Sequence, residues 1–192
     1  MKLLKRTFYL RDPQIVAKEL LGKILVRTIN SEKMSGIIVE TEAYLEKDDE
    51  AAHSYKGETK SNSSLFLDGG HAYIYSIHRY FCFNTVCLNR GQGGGVLIRA
   101  IEPLSGVSLM KKYRNVINKD LTNGPGKLCM ALNLNRHMDG IDLTNSDSEI
   151  KIYDSGVSTN YEIETTTRIG ISKNKDSLLR FYIKENPFVS RK

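Results

Sequence analysis

The sequence predicts a mixed α+β fold: a single domain, residues 1–192, built on a curved, largely antiparallel, barrel-like sheet flanked by helices. Three observations predict it. Strand-like runs outnumber helical ones and are joined by short turn-like stretches. The sequence has no internal repeat and no regular strand–helix alternation of the kind that builds a doubly wound sheet. And 192 residues suffice for one well-buried core but are short for two.

Residues 12–22, DPQIVAKELLG, read as a short helix. Asp12 can accept from the free amides of the first turn, Pro13 suits that turn because it has no N–H to lose, and Gly22 ends it. Its apolar face, Ile15, Leu20 and Leu21, is expected to dock on the sheet. KILVRTI at 23–29 and GIIVETEAYL at 36–45 are strand-like, and the turn-like NSEKMS between them makes a hairpin. AYIYSI at 72–77 and GVLIRAIE at 95–102 are two more strands, the second entered through GQGGG at 91–95, which needs a permissive backbone. LSGVSLMKKYR at 104–114 has helical spacing and a cationic last turn that suits the helix dipole, and PGKLCMALNL at 125–134 is a helix opened by proline. EIKIYD at 149–154, TTTRIGIS at 165–172 and LLRFYIK at 178–184 complete the strands.

Composition excludes disorder and fibrous classes, with 40% hydrophobic and 26% charged residues. Cys82, Cys87 and Cys129 are odd in number and lack paired short spacings, which argues against a disulfide framework and a four-thiolate zinc site and for a reducing compartment. Charge interrupts the apolar part of MKLLKRTFYLRD too soon for a signal peptide, and no run approaches 18 apolar residues, so a soluble, cytosolic protein with no membrane partner is expected. The charge is uneven: +5 over residues 1–30, −5 over 31–70, +7 over 71–136 and −1 over 137–192. The basic third segment also holds Tyr73, Tyr75, Tyr80, Phe81, Phe83 and Tyr113. Interleaved cations and aromatics are the footprint of a nucleic-acid binder, although the same rings would serve as core.

Alternation along 36–45 puts Ile38, Glu40, Glu42 and Tyr44 on one side and Val39, Thr41 and Ala43 on the other. Two carboxylates there fit either a cleft lining or a solvent-facing side with surface ion pairs. In AYIYSIHRYFCFN, 72–84, Tyr73 and Tyr75 project to one side, strand character is lost at SIHR, and His78 and Arg79 fall at a tip or bend. Tyrosines there give flat amphipathic surfaces for stacking a base, and they are equally at home in a half-buried strand.

In combination and in this order, ETEAYLEKDDEAAHS, AYIYSIHRYFCFN, VLIRAIEPLSG and NGPGKLCMAL resemble the alkyladenine (3-methyladenine) DNA glycosylase family, and the likeness continues through TTRIGIS and LRFYIKENPFVS. The resemblance implies that Glu42 positions and deprotonates the attacking water, and that Arg99 helps hold that water. It makes Tyr44, His53 and Tyr75 the pocket around an extruded base, supported by Tyr73, with Asn84 at the edge helping to exclude normal purines. His78 falls at the intercalating wedge. There the sequence departs from many relatives, which carry tyrosine followed by Gly-Met where this chain reads His78, Arg79 and Tyr80; TKSNSSLF at 59–66 likewise replaces a stretch containing Pro-Arg-Asn.

The implied activity is a monofunctional glycosylase, acting as a monomer on double-stranded DNA with damaged purines, in the bacterial cytoplasm with the nucleoid or in a eukaryotic nucleus. Such an enzyme flips the nucleotide into its pocket, with Arg79 and Lys127 as candidate phosphate partners. Cleavage develops positive charge on the sugar, as in glycoside hydrolysis, which a fixed carboxylate stabilises. No lysine matches an amine nucleophile, and neither metal nor cofactor is expected. Two other readings fit the residues. A metal-dependent nuclease or phosphoesterase could use Glu40, Glu42, Asp48, Asp49 and His53. A noncatalytic nucleic-acid-binding protein would carry the acidic strand as ordinary surface.

Overall fold

Side chains alternate across a strand, and here that alternation sorts the chain into a sheet with two differently used faces. A computed structural model describes residues 1–116, 118–156 and 161–191. In chain order the elements are β1 (Lys2–Leu3), α1 (Arg6–Tyr9), α2 (Pro13–Leu20), β2 (Ile24–Ile29), β3 (Glu32–Tyr44), β4 (Ala72–Ile77), β5 (Tyr80–Cys87), β6 (Gly94–Ser105), α3 (Val107–Tyr113), α4 (Pro125–Ala131), β7 (Ile150–Asp154), β8 (Ile163–Thr166) and β9 (Arg180–Ile183). All strand pairs are antiparallel, in the order β1-β7-β2-β3-β6-β5-β4, with β9 adding to β3 and β8 to β9. The α+β, antiparallel character matches the expectation. Among the described residues β1 and β4 lie at opposite ends of this order and do not pair with each other, so the sheet is not closed into a barrel.

The helical face holds the main core. On β4, Ala72 and Ile74 point into it; on β5, Phe83 and Cys87; on β6, Val96 and Ile98. Their neighbours Tyr73, Val86 and Leu65 form a second, smaller cluster with Phe66 and Tyr75 against it. Helix α2 covers β3 and β6 with Val16, Ala17 and Leu20, all fully buried, and Thr41 Oγ1 donates to the Ala17 carbonyl at 2.9 Å. Asp12 caps α2 by accepting from the Gln14 amide at 2.8 Å. Ile15, expected in the docking face, is instead 49% exposed. The buried stripe runs through 13, 16, 17 and 20, the spacing of one helix face, and Ile15 lies off it.

Several boundaries differ for local reasons. The β2–β3 turn is only Asn30 and Ser31, both at positive φ, so β3 starts at Glu32 inside the stretch expected to be turn. That is the two-residue turn whose twist suits a hairpin. β5 was not expected as a strand at all; it folds back on β4 through a two-residue tip, His78 and Arg79, with Ile77 opposite Tyr80. Leu104 and Ser105 finish β6 rather than opening α3, and strand structure in 165–172 stops at Thr166. Among the described residues no helix is long and apolar enough to cross a membrane, and the three cysteines are buried free thiols.

Between β6 and α3, Gly106 sits at φ 70°, and a Cβ there would lie 2.4 Å from the Lys33 carbonyl oxygen and 2.8 Å from Met34 Cα. Both obstacles are backbone. Gly106→Ala is expected to destabilise the fold by about 2–3 kcal/mol, read as a lower denaturation midpoint with an unchanged slope.

Candidate active site

Two of the three register shifts in the β3–β6 ladder flank Glu40. Val39 is skipped between Ile38↔Ile101 and Glu40↔Ala100, and Arg99 is skipped between Glu40↔Ala100 and Thr41↔Ile98. Such shifts bend a strand and re-aim a side chain. Ile38 consequently joins Val39 in the main core rather than the side of Glu40 and Glu42. The guanidinium of Arg99 meets both carboxylates: Nε donates to Glu40 Oε1 at 3.0 Å, and Nη1 makes an ion pair with Glu42 Oε2 at 3.2 Å. Burial on its own would pull the Arg99 pKa down, but Glu42 and Glu40 outweigh it and raise it.

Glu40 and Glu42 are both 0% exposed, so the solvent-facing reading of this strand is overturned. Glu42 Oε2 also accepts from the Tyr44 hydroxyl at 2.9 Å, and Oε1 accepts from the Ile169 amide at 2.8 Å. That amide explains why 167–172 is not a strand: its backbone donor serves a carboxylate instead of a ladder. Three groups thus fix Glu42, while a carboxylate offers about four acceptor sites, so one is left uncommitted.

The preceding Arg168 anchors the segment. Its two terminal nitrogens each donate to Asp49 at 2.7 Å, Nη1 also reaches the Ala43 carbonyl at 3.0 Å, and the guanidinium stacks 4.6 Å over the Tyr44 ring. Asp49 in turn accepts from the Leu45 and Ala51 amides, closing the acidic loop that leads to His53.

Beside this network lies a cavity of about 320 Å³ whose wall includes Tyr44, His53, Tyr73, Tyr75, Asn84 and Arg99. Apolar contributions come from Leu65, Ile77, Leu97 and Pro125. Glu42 is not itself in the wall; it stands behind Tyr44, Arg99 and Ile169, three lining residues that it contacts. His53 packs its ring 4.4 Å from that of Tyr75 and shares a 2.8 Å hydrogen bond between Nδ1 and the Tyr73 hydroxyl. Desolvation lowers the His53 pKa, favouring neutral imidazole, and raises those of the tyrosines, Tyr73 to about 12. The rings around the cavity are therefore uncharged near neutral pH. Asn84 is buried and donates from Nδ2 to the Tyr73 carbonyl at 3.0 Å, which fixes its amide on the cavity side of β5. A second, more open cleft of about 630 Å³ lies across the same His53, Tyr73 and Tyr75.

The remaining candidates stand apart from the cavity. His78, at φ 51°, and Arg79 form the exposed hairpin tip, and Ile77 and Tyr80 at its base are each 49% exposed. Tyr80 is seated against Gly126, where a Cβ would come 2.9 Å from its own Cβ, so GPGKL fits α4 under the hairpin. Lys127 is engaged within the protein, donating to Asn123 at 2.7 Å and Asp120 at 3.1 Å. The five candidate metal ligands do not converge. Asp48 is exposed, Asp49 and Glu40 are committed to arginines, and among the described residues no three His, Cys, Asp or Glu side chains form a metal-holding group. Sequence reasoning missed Arg168, the Ile169 amide, Arg180 and the bond from Arg99 to Glu40.

Comparison with known proteins gives the family. The family model described as methylpurine-DNA glycosylase matches residues 7–187. A protein of Clostridium botulinum strain Hall, provisionally named a 3-methyladenine DNA glycosylase, is 45% identical over 98% of this chain and 99% of its own length. One from Koribacter versatilis with the same provisional name is 45% identical over 98% of this chain and 93% of its own.

Proposed function

The chain belongs to the methylpurine-DNA glycosylase family and is a base-excision-repair hydrolase acting on DNA; from that premise we propose that it turns alkylated purines out of double-stranded DNA into the 320 Å³ cavity and hydrolyses the N-glycosidic bond, a neutral deaminated purine needing a proton donor in addition. Residues 1–192 act as one catalytic domain and as a monomer, in the cytoplasm with the nucleoid. Glu42 takes a proton from the attacking water and faces the cation that develops on the sugar, while Arg99 helps hold that water. Tyr44, His53 and Tyr75 grip the base, Tyr73 braces His53, and Asn84 helps exclude normal purines. A cationic base such as 3-methyladenine leaves without prior protonation and is attracted to neutral aromatic faces. His78 enters the vacated stack, and Arg79 and Lys127 meet phosphates. The product is a free base and an abasic site, made without lyase chemistry, metal or cofactor.

One observation carries this reading: a fully buried carboxylate, held by three donors, directly behind the wall of an aromatic cavity. The volume is at the low end of small-molecule pockets, suiting one flipped base rather than a length of strand. The experiment incubates the protein, in EDTA, with duplexes containing 3-methyladenine or hypoxanthine and identifies released bases by chromatography. Free base with no strand break before alkali is expected. Strand scission without base release, or loss of activity in EDTA that magnesium restores, would favour the phosphoesterase reading.

A further inference from the structure

The second buried carboxylate, Glu40, is unused by the chemistry above, yet it accepts four hydrogen bonds, as many as Asp49. Oε1 accepts from Arg99 Nε at 3.0 Å, from Arg180 Nε at 2.7 Å and from Ser190 Oγ at 2.9 Å; Oε2 accepts from the Ser190 amide at 2.7 Å. Arg180 also donates to the Arg191 carbonyl, tying β9 to the segment that carries Ser190. Glu40, Arg99 and Arg180 are all at least nine-tenths buried. Well-packed apolar residues often serve stability as well as a buried ion pair or better, so such a cluster signals a demand for specific geometry.

We propose that Glu40 is a positioning residue that sets the orientation of Arg99 toward Glu42, and that Ser190 and Arg180 hold Glu40 in place for that task. The inference rests on the reading of Glu42 and Arg99 given above. A guanidinium is a rigid planar fork that readily turns two nitrogens onto one carboxylate. Glu40 prevents that turn on Glu42. With Nε donating to Glu40, the side-on fork that uses Nε is closed to Glu42, which Arg99 meets through Nη1 at 3.2 Å, and an acceptor site on Glu42 stays open for the attacking water. Without Glu40, Arg99 is free to clamp Glu42 from two nitrogens and displace that water.

The test measures single-turnover excision and lesion-DNA affinity side by side. Glu40→Gln is expected to slow the chemical step by about 10- to 100-fold, the cost of misplacing a reacting group by about an ångström, while Kd stays within about threefold. Ser190→Ala is expected to slow it by about two- to fivefold, and Ser190→Thr, which keeps the hydroxyl, to restore most of the rate. Excision by Glu40→Gln at the wild-type rate, or rate and affinity falling together by one factor, overturns the proposal. Should Glu40→Gln fail to fold, the Ser190 pair decides: an unchanged alanine variant, or no rescue by threonine, overturns it equally. Glu42→Gln run beside them separates the two readings, because turnover there refutes the assignment of Glu42 itself.

Discussion

Glu42→Gln abolishes excision and leaves binding to lesion-containing duplex nearly intact. The amide keeps the shape of the side chain and one oxygen, which can still accept from the Ile169 amide. The Tyr44 hydroxyl, now a donor to Oε2, can reverse its role and accept. What the variant loses is the charge that faces the sugar cation and the base that takes the proton from water. Proton transfer alone contributes about 10²–10⁴-fold and removal of a preorganised electrostatic group about 10²–10³-fold, so a combined loss of at least about 10³-fold is expected. Single-turnover assays on 3-methyladenine duplex measure the rate and band-shift titration the affinity. Retained turnover within about tenfold of wild type would end the assignment.

Asp49→Ala should be the most destabilising single change at the site. Asp49 and Arg168 are a buried two-pronged pair, their side chains 1% and 0% exposed. Removing the acid strands a guanidinium whose Nε already has no hydrogen-bond partner, and it orphans the amides of Leu45 and Ala51. Breaking one side of a buried pair costs about 3–5 kcal/mol, a large share of the roughly 5–15 kcal/mol that holds a domain together. Excision should fall as well, because Arg168 anchors the segment whose Ile169 amide fixes Glu42. Replacing both partners, Asp49→Leu with Arg168→Met, should recover much of the stability but not the activity, since no charge is then left unpaired. Denaturation midpoints of the single and double variants measure the coupling, and equal midpoints for wild type and Asp49→Ala would refute it.

The strands that face the main core were legible because apolar runs bounded by turn residues leave a local mark, as at 23–29 and 72–77. β5 left a weaker one. Its two-residue tip is His78-Arg79 instead of an asparagine–glycine pair, so nothing in the letters announces a hairpin, whereas Asn30-Ser31 does. Ile15 misled because its hydrophobicity suggested a place that helix phase denies it. At the site, strand alternation gave the shared side of Glu42 and Tyr44 and that of Tyr73 and Tyr75, while His53, Asn84 and Arg99 were legible only through the resemblance. The bonds from Arg180 and Ser190 to Glu40 were not, since they join residues 140 and 150 positions apart and leave no periodic trace. Nor could composition foresee that register shifts at Val39 and Arg99 would turn an arginine toward two acids at once.

The bonding of Glu40 also has a temporal side. Its first charged partner, Arg99, is made 59 residues after it, and its second, Arg180, 140 residues after it. At ribosomal speeds of about 5–20 residues per second, the nascent chain carries this acid without its full complement for about 7–28 s. Strands β3 and β6 can pair in that interval, but the acid between them stays incompletely neutralised until β9 emerges and docks. A nascent chain still short of that point has its hydrophobic scaffold and an unfinished reaction centre, so the ability to cut a base from DNA arrives late in synthesis.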